Sequence, residues 1–307
     1  MANYHRIGEA LKTQFGCKVV KLSLDAGFTC PNRDGTKGRS GCTFCSEKGS
    51  GDFASDVPGQ IRLLSGKWPK ARYILYFQSY TNTYAPVEQL RKLYWEALST
   101  PDVVGIAIAT RPDCLSDEIL DLLSELNQQT FLWVELGLQT IHDQTANLIN
   151  RCYPYAQYQE TLSSLVSRGI KVVTHLILGL PGETREQMLE SVQAVTREPI
   201  YGLKLHLLNV VKGTVLAEQY EEFVRNGMLR IPAMEEYIAL VADALELIPP
   251  EITIHRLTAD APRGLLIAPD WSFRKRSILN GIDAELRRRG SHQGSRLEQP
   301  AKGVHQS

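Results

Sequence analysis

KVVKLSLDAGFTCPNRDGTKGRSGCTFCSEKG, residues 18–49, joins a strand-like run to a loop that carries three cysteines. KVVKLSL (18–24) is the first strand candidate, and the Gly-, Pro-, Asn- and Asp-rich stretch after it ends the strand. Eleven residues separate Cys30 from Cys42, and two separate Cys42 from Cys45. The Cys-x-x-Cys pair lets two thiolates reach one metal centre, and the long gap lets the third fold back onto it. Structural zinc takes four protein ligands. No histidine lies between His5 and His142, and the remaining cysteines are Cys17, Cys114 and Cys152. Three thiolates without an evident fourth ligand suit a 4Fe–4S cubane with one iron open, which S-adenosylmethionine (SAM) chelates through its amino and carboxylate groups. Zinc, or chance clustering, stays open on these residues alone.

Further strand candidates follow: ARYILYF (71–77), VVGIAIA (103–109), TFLWVEL (130–136), KVVTHLIL (171–178) and GLKLHLL (202–208). Most are apolar on both faces, as buried parallel strands are. Helical patterns lie between them. One begins at Pro86 and carries Leu90, Leu93 and Leu98; Ser116 is placed to cap a helix with Ile119, Leu120, Leu122 and Leu123 inward. Thr184 with Gln187 reads as a capping box, and Gly169 as a helix stop. The expected fold is α/β, a partial (β/α)6 barrel over residues 1–229, with its chemistry in loops after the carboxyl ends of the strands. The cysteine loop spans 26–50, a C-terminal extension of two helices around EITIHRL spans 230–289, and 290–307 reads as a disordered polar tail.

Composition is that of an ordinary globular chain, 43% apolar and 22% charged. Lys plus Arg equals Asp plus Glu at 34 each, so an anionic partner must be met by a local basic patch. The polar start lacks a signal-peptide core and no run of 18 apolar residues occurs, so no membrane association and a cytoplasmic location are expected. Clustered cysteines there read as metal ligands rather than disulfides.

Seven motifs in strand order carry a resemblance. They are FTCPNRDGTKGRSGCTFC, YFQSYTNTYAP, GIAIATRPDCL, VELGLQTIHDQT, INRCYP, THLILGLPGE and GLKLHLLNVVKGT. Over roughly residues 4–285 the chain resembles radical SAM proteins of the Elongator-catalytic-subunit-like group, nearest the YhcC/YtqA (MnmL-like) branch. It lacks the Elongator subunit's acetyltransferase domain, so acetyl-CoA chemistry is not implied. The resemblance implies Cys30, Cys42 and Cys45 on a 4Fe–4S cluster, and SAM as the second cofactor. It implies cleavage of SAM to a 5′-deoxyadenosyl radical. It places Phe44 near adenine, and Gln78 and Ser79 at the SAM amino group. Gln139 and Arg151 match ribose and carboxylate contacts, His175 a ribose contact, and the Gly179–Gly182 turn an adenine contact. A carboxylate common at the position of Ala109 is missing, and Glu135 stands by to compensate. Each residue has a plainer reading. Glu135 and Gln139 could be satisfied core polar groups, GLPGE a simple turn, Arg151 a surface arginine and Cys114 a packed thiol rather than a radical relay. The runs at 275–277 and 287–289 could be solvated helix faces.

By the same resemblance the substrate is the wobble uridine of tRNA, with its carbon-five carboxymethylaminomethyl group remodelled to aminomethyl. Lys204, His206, Lys212, His255, Arg256, Arg263, Arg274, Lys275 and Arg276 are the candidate RNA contacts. Tyr80, Tyr84, Tyr153 and Trp271 are the candidate stacking rings. A one-electron donor such as flavodoxin or ferredoxin is the implied partner. The competing readings are a radical SAM enzyme acting on a small metabolite or protein, and a zinc-bearing RNA-binding module.

Overall fold

The computed structural model describes residues 3–49, 51 and 53–297. Helix α1 (Ile7–Phe15) precedes β1 (Val19–Leu24). The chain continues through α2 (Val57–Ser65), β2 (Arg72–Phe77), α3 (Val87–Leu98), β3 (Val103–Thr110), α4 (Asp117–Gln129) and β4 (Phe131–Gln139). Helices α5 (Asp143–Leu148) and α6 (Tyr155–Ser167) lead to β5 (Lys171–Leu178), α7 (Arg185–Thr196) and β6 (Gly202–Leu207). The last part holds β7 (Val210–Val211), α8 (Val215–Arg225), α9 (Met234–Glu246), β8 (Thr253–Arg256), β9 (Leu266–Ala268) and α10 (Lys275–Arg289).

One parallel sheet of seven strands runs in the order β1-β2-β3-β4-β5-β6-β8, curled into a partial barrel. The seventh strand extends the six-strand expectation. EITIHRL pairs in parallel with β6, Gly202 opposite Thr253. Residues 230–289 therefore share the barrel's core, where Tyr237, Val241 and Ile278 pack with Leu203 and Val172. Helix α1 touches both edge strands, β1 and β8, and so bridges the open side. A short antiparallel pair, β7 with β9, stands at the carboxyl end of the sheet.

Strand periodicity divides the side chains. Leu22, Leu75, Ile108, Leu136 and Leu205 face the helices. Ile74, Tyr76, Ala109, Trp133 and Val173 face the interior. The expected helix signals largely hold. Thr184 and Gln187 form the capping box, Gly169 has φ +69°, and Leu90, Ile119, Leu120, Leu122 and Leu123 are buried. Ser116 holds the N-cap position of α4, but its hydroxyl makes no capping bond. No helix among the described residues is long and apolar enough to cross a membrane.

The polar stretch from Gly290, expected to be disordered, is held by hydrogen bonds through residue 297. Gln293 is 3% exposed. Its Nε2 donates to Pro249 O (2.7 Å) and Ile252 O (2.9 Å), and its Oε1 accepts from His5 N (2.8 Å). Ser291 and Arg296 bond Glu246 and Asp243. Polarity misled the reading because these side chains satisfy buried carbonyls and carboxylates. Residues 298–307 lie outside the described ones. Gln293→Ala removes three hydrogen bonds to the backbone, the one to Ile252 O buried, so it is expected to destabilise by about 1–3 kcal/mol. Chemical denaturation of both proteins measures this; an unchanged midpoint would show the segment to be dispensable.

Candidate active site

The loop after β1 is tied down by two asparagines, an arginine and backbone bonds. Asn32 is fully buried. Its Nδ2 donates to Asn150 O (2.6 Å), and Gly41 N donates to Asn32 O (2.7 Å). Asn150 Nδ2 returns a bond to Gly41 O (2.7 Å). Arg33 Nη2 donates to Cys45 O (2.8 Å) and Ser46 O (2.6 Å). Thr43 N reaches Ile149 O (3.0 Å), and Leu216 N at the start of α8 reaches Thr43 O (2.8 Å). At Gly38 a Cβ would stand 2.1 Å from Asn32 Oδ1, so glycine is required there. These ties turn Cys30, Cys42 and Cys45 onto one cavity. Burial, then the neighbouring Cys45, push the Cys42 thiol up to about 12. Only a metal that displaces the proton would hold it as thiolate.

Cys152 lies outside this lining. It is exposed, with Sγ 3.1 Å from Asn32 Oδ1. Among the described residues, no three His, Cys, Asp or Glu side chains gather as ligands of a single metal ion. A cubane takes each thiolate on a different iron, so three thiols spaced around one cavity fit its donor set.

The cavity, about 820 Å³, sits at the carboxyl mouth of the barrel. Its floor is charged. Glu135 is fully buried and accepts from Trp133 Nε1 (2.9 Å), His175 Nε2 (2.8 Å) and Lys204 Nζ. Lys204 also donates to Tyr76 Oη (3.0 Å). Burial alone would raise the Glu135 carboxyl, but Lys204, His175 and Lys21 outweigh it and hold it well below the usual range. Burial, with Lys204 nearby, lowers His175 to about 4 against the pull of Glu135. At neutral pH the imidazole is therefore neutral, its Nε2–H donates to Glu135, and its Nδ1 is left as an acceptor. The His206 ring lies 5.1 Å from that of His175. His206 Nε2 and Asn209 Oδ1 are buried at the cavity without a partner among the described residues. Such orphaned groups call for a polar ligand.

Of the sequence candidates, Phe44, Gln78, Glu135, Gln139 and His175 line the cavity. Ala109 and Glu135 are register neighbours, so Glu135 does stand beside the missing carboxylate. Its three donors already occupy it, however. Gln139 has φ +66° at the end of β4, and Tyr80, Asn150 and Cys152 are also left-handed. Strain of this kind concentrates where a site imposes the backbone. His206, Arg256, Arg263 and Lys275 also line the cavity, where Asp260 bonds Lys275 (2.8 Å) and pairs with Arg256 (3.4 Å).

Other candidates fall elsewhere. Arg151 is fully buried and donates to Leu138 O, Thr140 O, Tyr153 O and Asp143, so it braces the end of β4 instead of reaching the cavity. Ser79 is buried against Gly51, and Gly179 and Gly182 lie outside the lining in the turn before α7. Lys204 is 2% exposed beneath the cavity and cannot meet RNA. His255 sits deeper, edge-on to Trp133 and Tyr201, rather than near the mouth. Trp271 is buried against Tyr237 with Nε1 on Pro232 O, so it offers no stacking face. Tyr153 lines the cavity, but its hydroxyl is bound to Gly137 O and its ring lies under Arg111 and Arg151. Tyr80 lines the mouth, bonded to Glu47 O, and Tyr84 bonds Thr36 (2.9 Å). Lys212, Arg274 and Arg276 are exposed away from the lining. Cys114, beside Asp113, is also outside it, its thiol raised to about 12 by burial. The sequence reading overlooked Arg111, which grips Asp113 with two bonds of 2.9 Å and reaches Arg151 O. It also overlooked Arg33, Tyr76 and Asn209. The TRPD run directly after β3 was the available signal for Arg111.

Comparison with known proteins agrees with this geometry. A family model described as the Radical SAM superfamily matches residues 30–195, and one described as the Radical_SAM C-terminal domain matches 200–288. Protein YtqA of Bacillus subtilis is 48% identical, over 96% of this chain and 94% of its own. A tRNA uridine(34) acetyltransferase of Dehalococcoides mccartyi is 31% identical over 52% of this chain and 34% of its own. In solved structures, the archaeal Elp3 of Methanocaldococcus infernus shares the fold with a TM-score of 0.66, at 18% identity, over 90% of this chain and 64% of that one. The family matches run through both the cysteine loop and the sheet beneath it, and the chain belongs to the radical SAM superfamily of enzymes, in its Elongator Elp3-like group.

Proposed function

We propose that this enzyme modifies the carbon-five side chain of the wobble uridine of tRNA, converting carboxymethylaminomethyl to aminomethyl. The observation that carries the radical SAM assignment of the site is the shared cavity. Three thiols from one loop face the same space as His175, His206 and Asn209, over a floor of buried charge. In this reading Cys30, Cys42 and Cys45 hold the 4Fe–4S cluster, and Phe44, Gln78, Gln139 and His175 hold SAM. The chemistry these cofactors supply when bound is hydrogen-atom abstraction by a 5′-deoxyadenosyl radical. The chain's own task is to hold and shield. The fixed hydrogen bonds of His175 and Gln139 orient a polar ligand without reorganisation. The barrel closes off water from below. Arg256, Arg263 and Lys275, which line the cavity, meet the anionic substrate. A one-electron donor of the flavodoxin or ferredoxin kind would serve the cluster loop, and a cytoplasmic location suits such chemistry. The relation to a tRNA uridine(34) acetyltransferase supports the choice of substrate.

Protein prepared without oxygen is expected to carry about four irons per chain. Cys42→Ala should lose them and Cys152→Ala should keep them; a full iron complement in Cys42→Ala would remove the ligand assignment. Gln139→Ala and His175→Ala should retain iron yet weaken SAM binding by about 1–3 kcal/mol each, read by calorimetry. Arg151→Met should instead lower the melting temperature, because it leaves buried carbonyls unpaired.

For the substrate, tRNA nucleosides from a deletion strain and its parent are compared by mass spectrometry. Loss of aminomethyl-type wobble uridines, with carboxymethylaminomethyl forms accumulating, is the expected result. Identical wobble nucleosides would move the assignment to a small metabolite or a protein.

A further inference from the structure

The chain's charges balance overall, yet one edge of the barrel does not share in that balance. From residue 57 to 87 there is no Asp or Glu, while Arg62, Lys67, Lys70 and Arg72 fall within eleven positions. Lys18, just before β1, joins them in space, since Arg72 N donates to Lys18 O (3.0 Å). All five are exposed, and none makes an ion pair with a carboxylate among the described residues. Trp68, also exposed, gathers two of them. Lys18 Nζ stands 4.9 Å and Lys67 Nζ 5.4 Å from its ring. Leu63 beside them is 71% exposed. An unneutralised cluster held at close spacing raises its own energy through repulsion, and an anionic partner relieves it.

The position of this edge says what kind of anion. Phe53 lines the active cavity and is itself 60% exposed. From there Ser55 bridges to Leu24, Asp56 caps α2, and the helix runs nine residues away from the mouth. Nine residues of helix span about 13 Å. A ligand that reaches both ends must therefore span more than about 13 Å with repeated negative charge, as a polynucleotide backbone does. A one-electron donor has to approach the cysteine loop, at the other end of α2, and so does not explain the cluster.

We propose that this edge, Lys18, Arg62, Lys67, Lys70 and Arg72 arranged around Trp68, binds the phosphate backbone of the tRNA while the nucleotide to be modified enters the cavity. This rests on the tRNA reading above and adds to it the path that the RNA follows across the enzyme.

The test is fluorescence anisotropy of labelled tRNA with the cluster-loaded full-length protein, over roughly 50–200 mM salt. Wild type is compared with a triple variant, Arg62→Gln, Lys67→Gln and Lys70→Gln. A control triple, Lys92→Gln, Arg225→Gln and Arg287→Gln, removes the same charge from α3, α8 and α10. Iron content and melting temperature check that each is folded. The edge variant should bind at least tenfold more weakly and lose about two to three units of log–log salt slope, roughly one for each phosphate contact. The control should stay near wild type. An edge variant with the wild-type slope, or a control that loses as much, overturns this surface and leaves the tRNA reading standing. Wild type that does not bind tRNA, or that binds anionic vesicles instead, overturns both.

Discussion

A carboxylate with no exposure, in the middle of a barrel, must be neutralised where it stands. Glu135 is that carboxylate; Lys204 supplies the opposite charge, and His175 and Trp133 add hydrogen bonds. Leaving it unpaired would cost about 3–5 kcal/mol, so its partners are not interchangeable decoration. They come from β4, β5 and β6, three adjacent strands whose inward positions must stay in register for the bonds to form. A one-residue slip would send each of them to the helix side. The buried charge thus fixes the registry of three of the seven strands. It also sets the electrostatics of the cavity above it, where a neutral His175 presents an acceptor and His206 an unmet polar group.

The cysteine loop depends on this frame from the other side. Its clamps run to Ile149 and Asn150, which follow β4 through α5, and to Leu216 at the start of α8. Arg151 completes the connection by binding the carbonyls of Leu138 and Thr140 at the very end of β4. The loop therefore hangs from the same strand that carries Glu135. A group held between thiols and floor is positioned by one continuous set of bonds, which is what a reaction dependent on alignment requires.

Much of this was legible in the sequence. All six expected strands are present, five of them within a residue of their bounds and β4 three residues longer at its end, because their apolar runs and intervening caps agree with one another. The three cysteines stand out because they share the loop after the first strand; Gln139 and His175 came from the resemblance, and both line the cavity. The errors share a different cause. Alternation tells which side of a sheet a residue faces, but not how deep it lies. Lys204 and His206 both point inward, and only the structure shows that the first is sealed below the cavity while the second borders it. At β8 a register shift between Leu203 and Lys204 pairs Lys204 with Arg256 and skips His255, so sequence spacing alone could not set their levels. Arg151, Trp271 and Gln293 look like surface residues in one dimension. They are buried because distant carbonyls happen to converge on them, and no local pattern records that convergence.

Cys30, Cys42 and Cys45 line one cavity, the donor set of a 4Fe–4S cluster with one iron left for SAM. Electron paramagnetic resonance of the reduced protein, with and without SAM, tests this most directly. One cluster signal per chain whose g-values shift when SAM is added is the result the account requires. Zinc in place of iron, or a cluster signal indifferent to SAM, would contradict it.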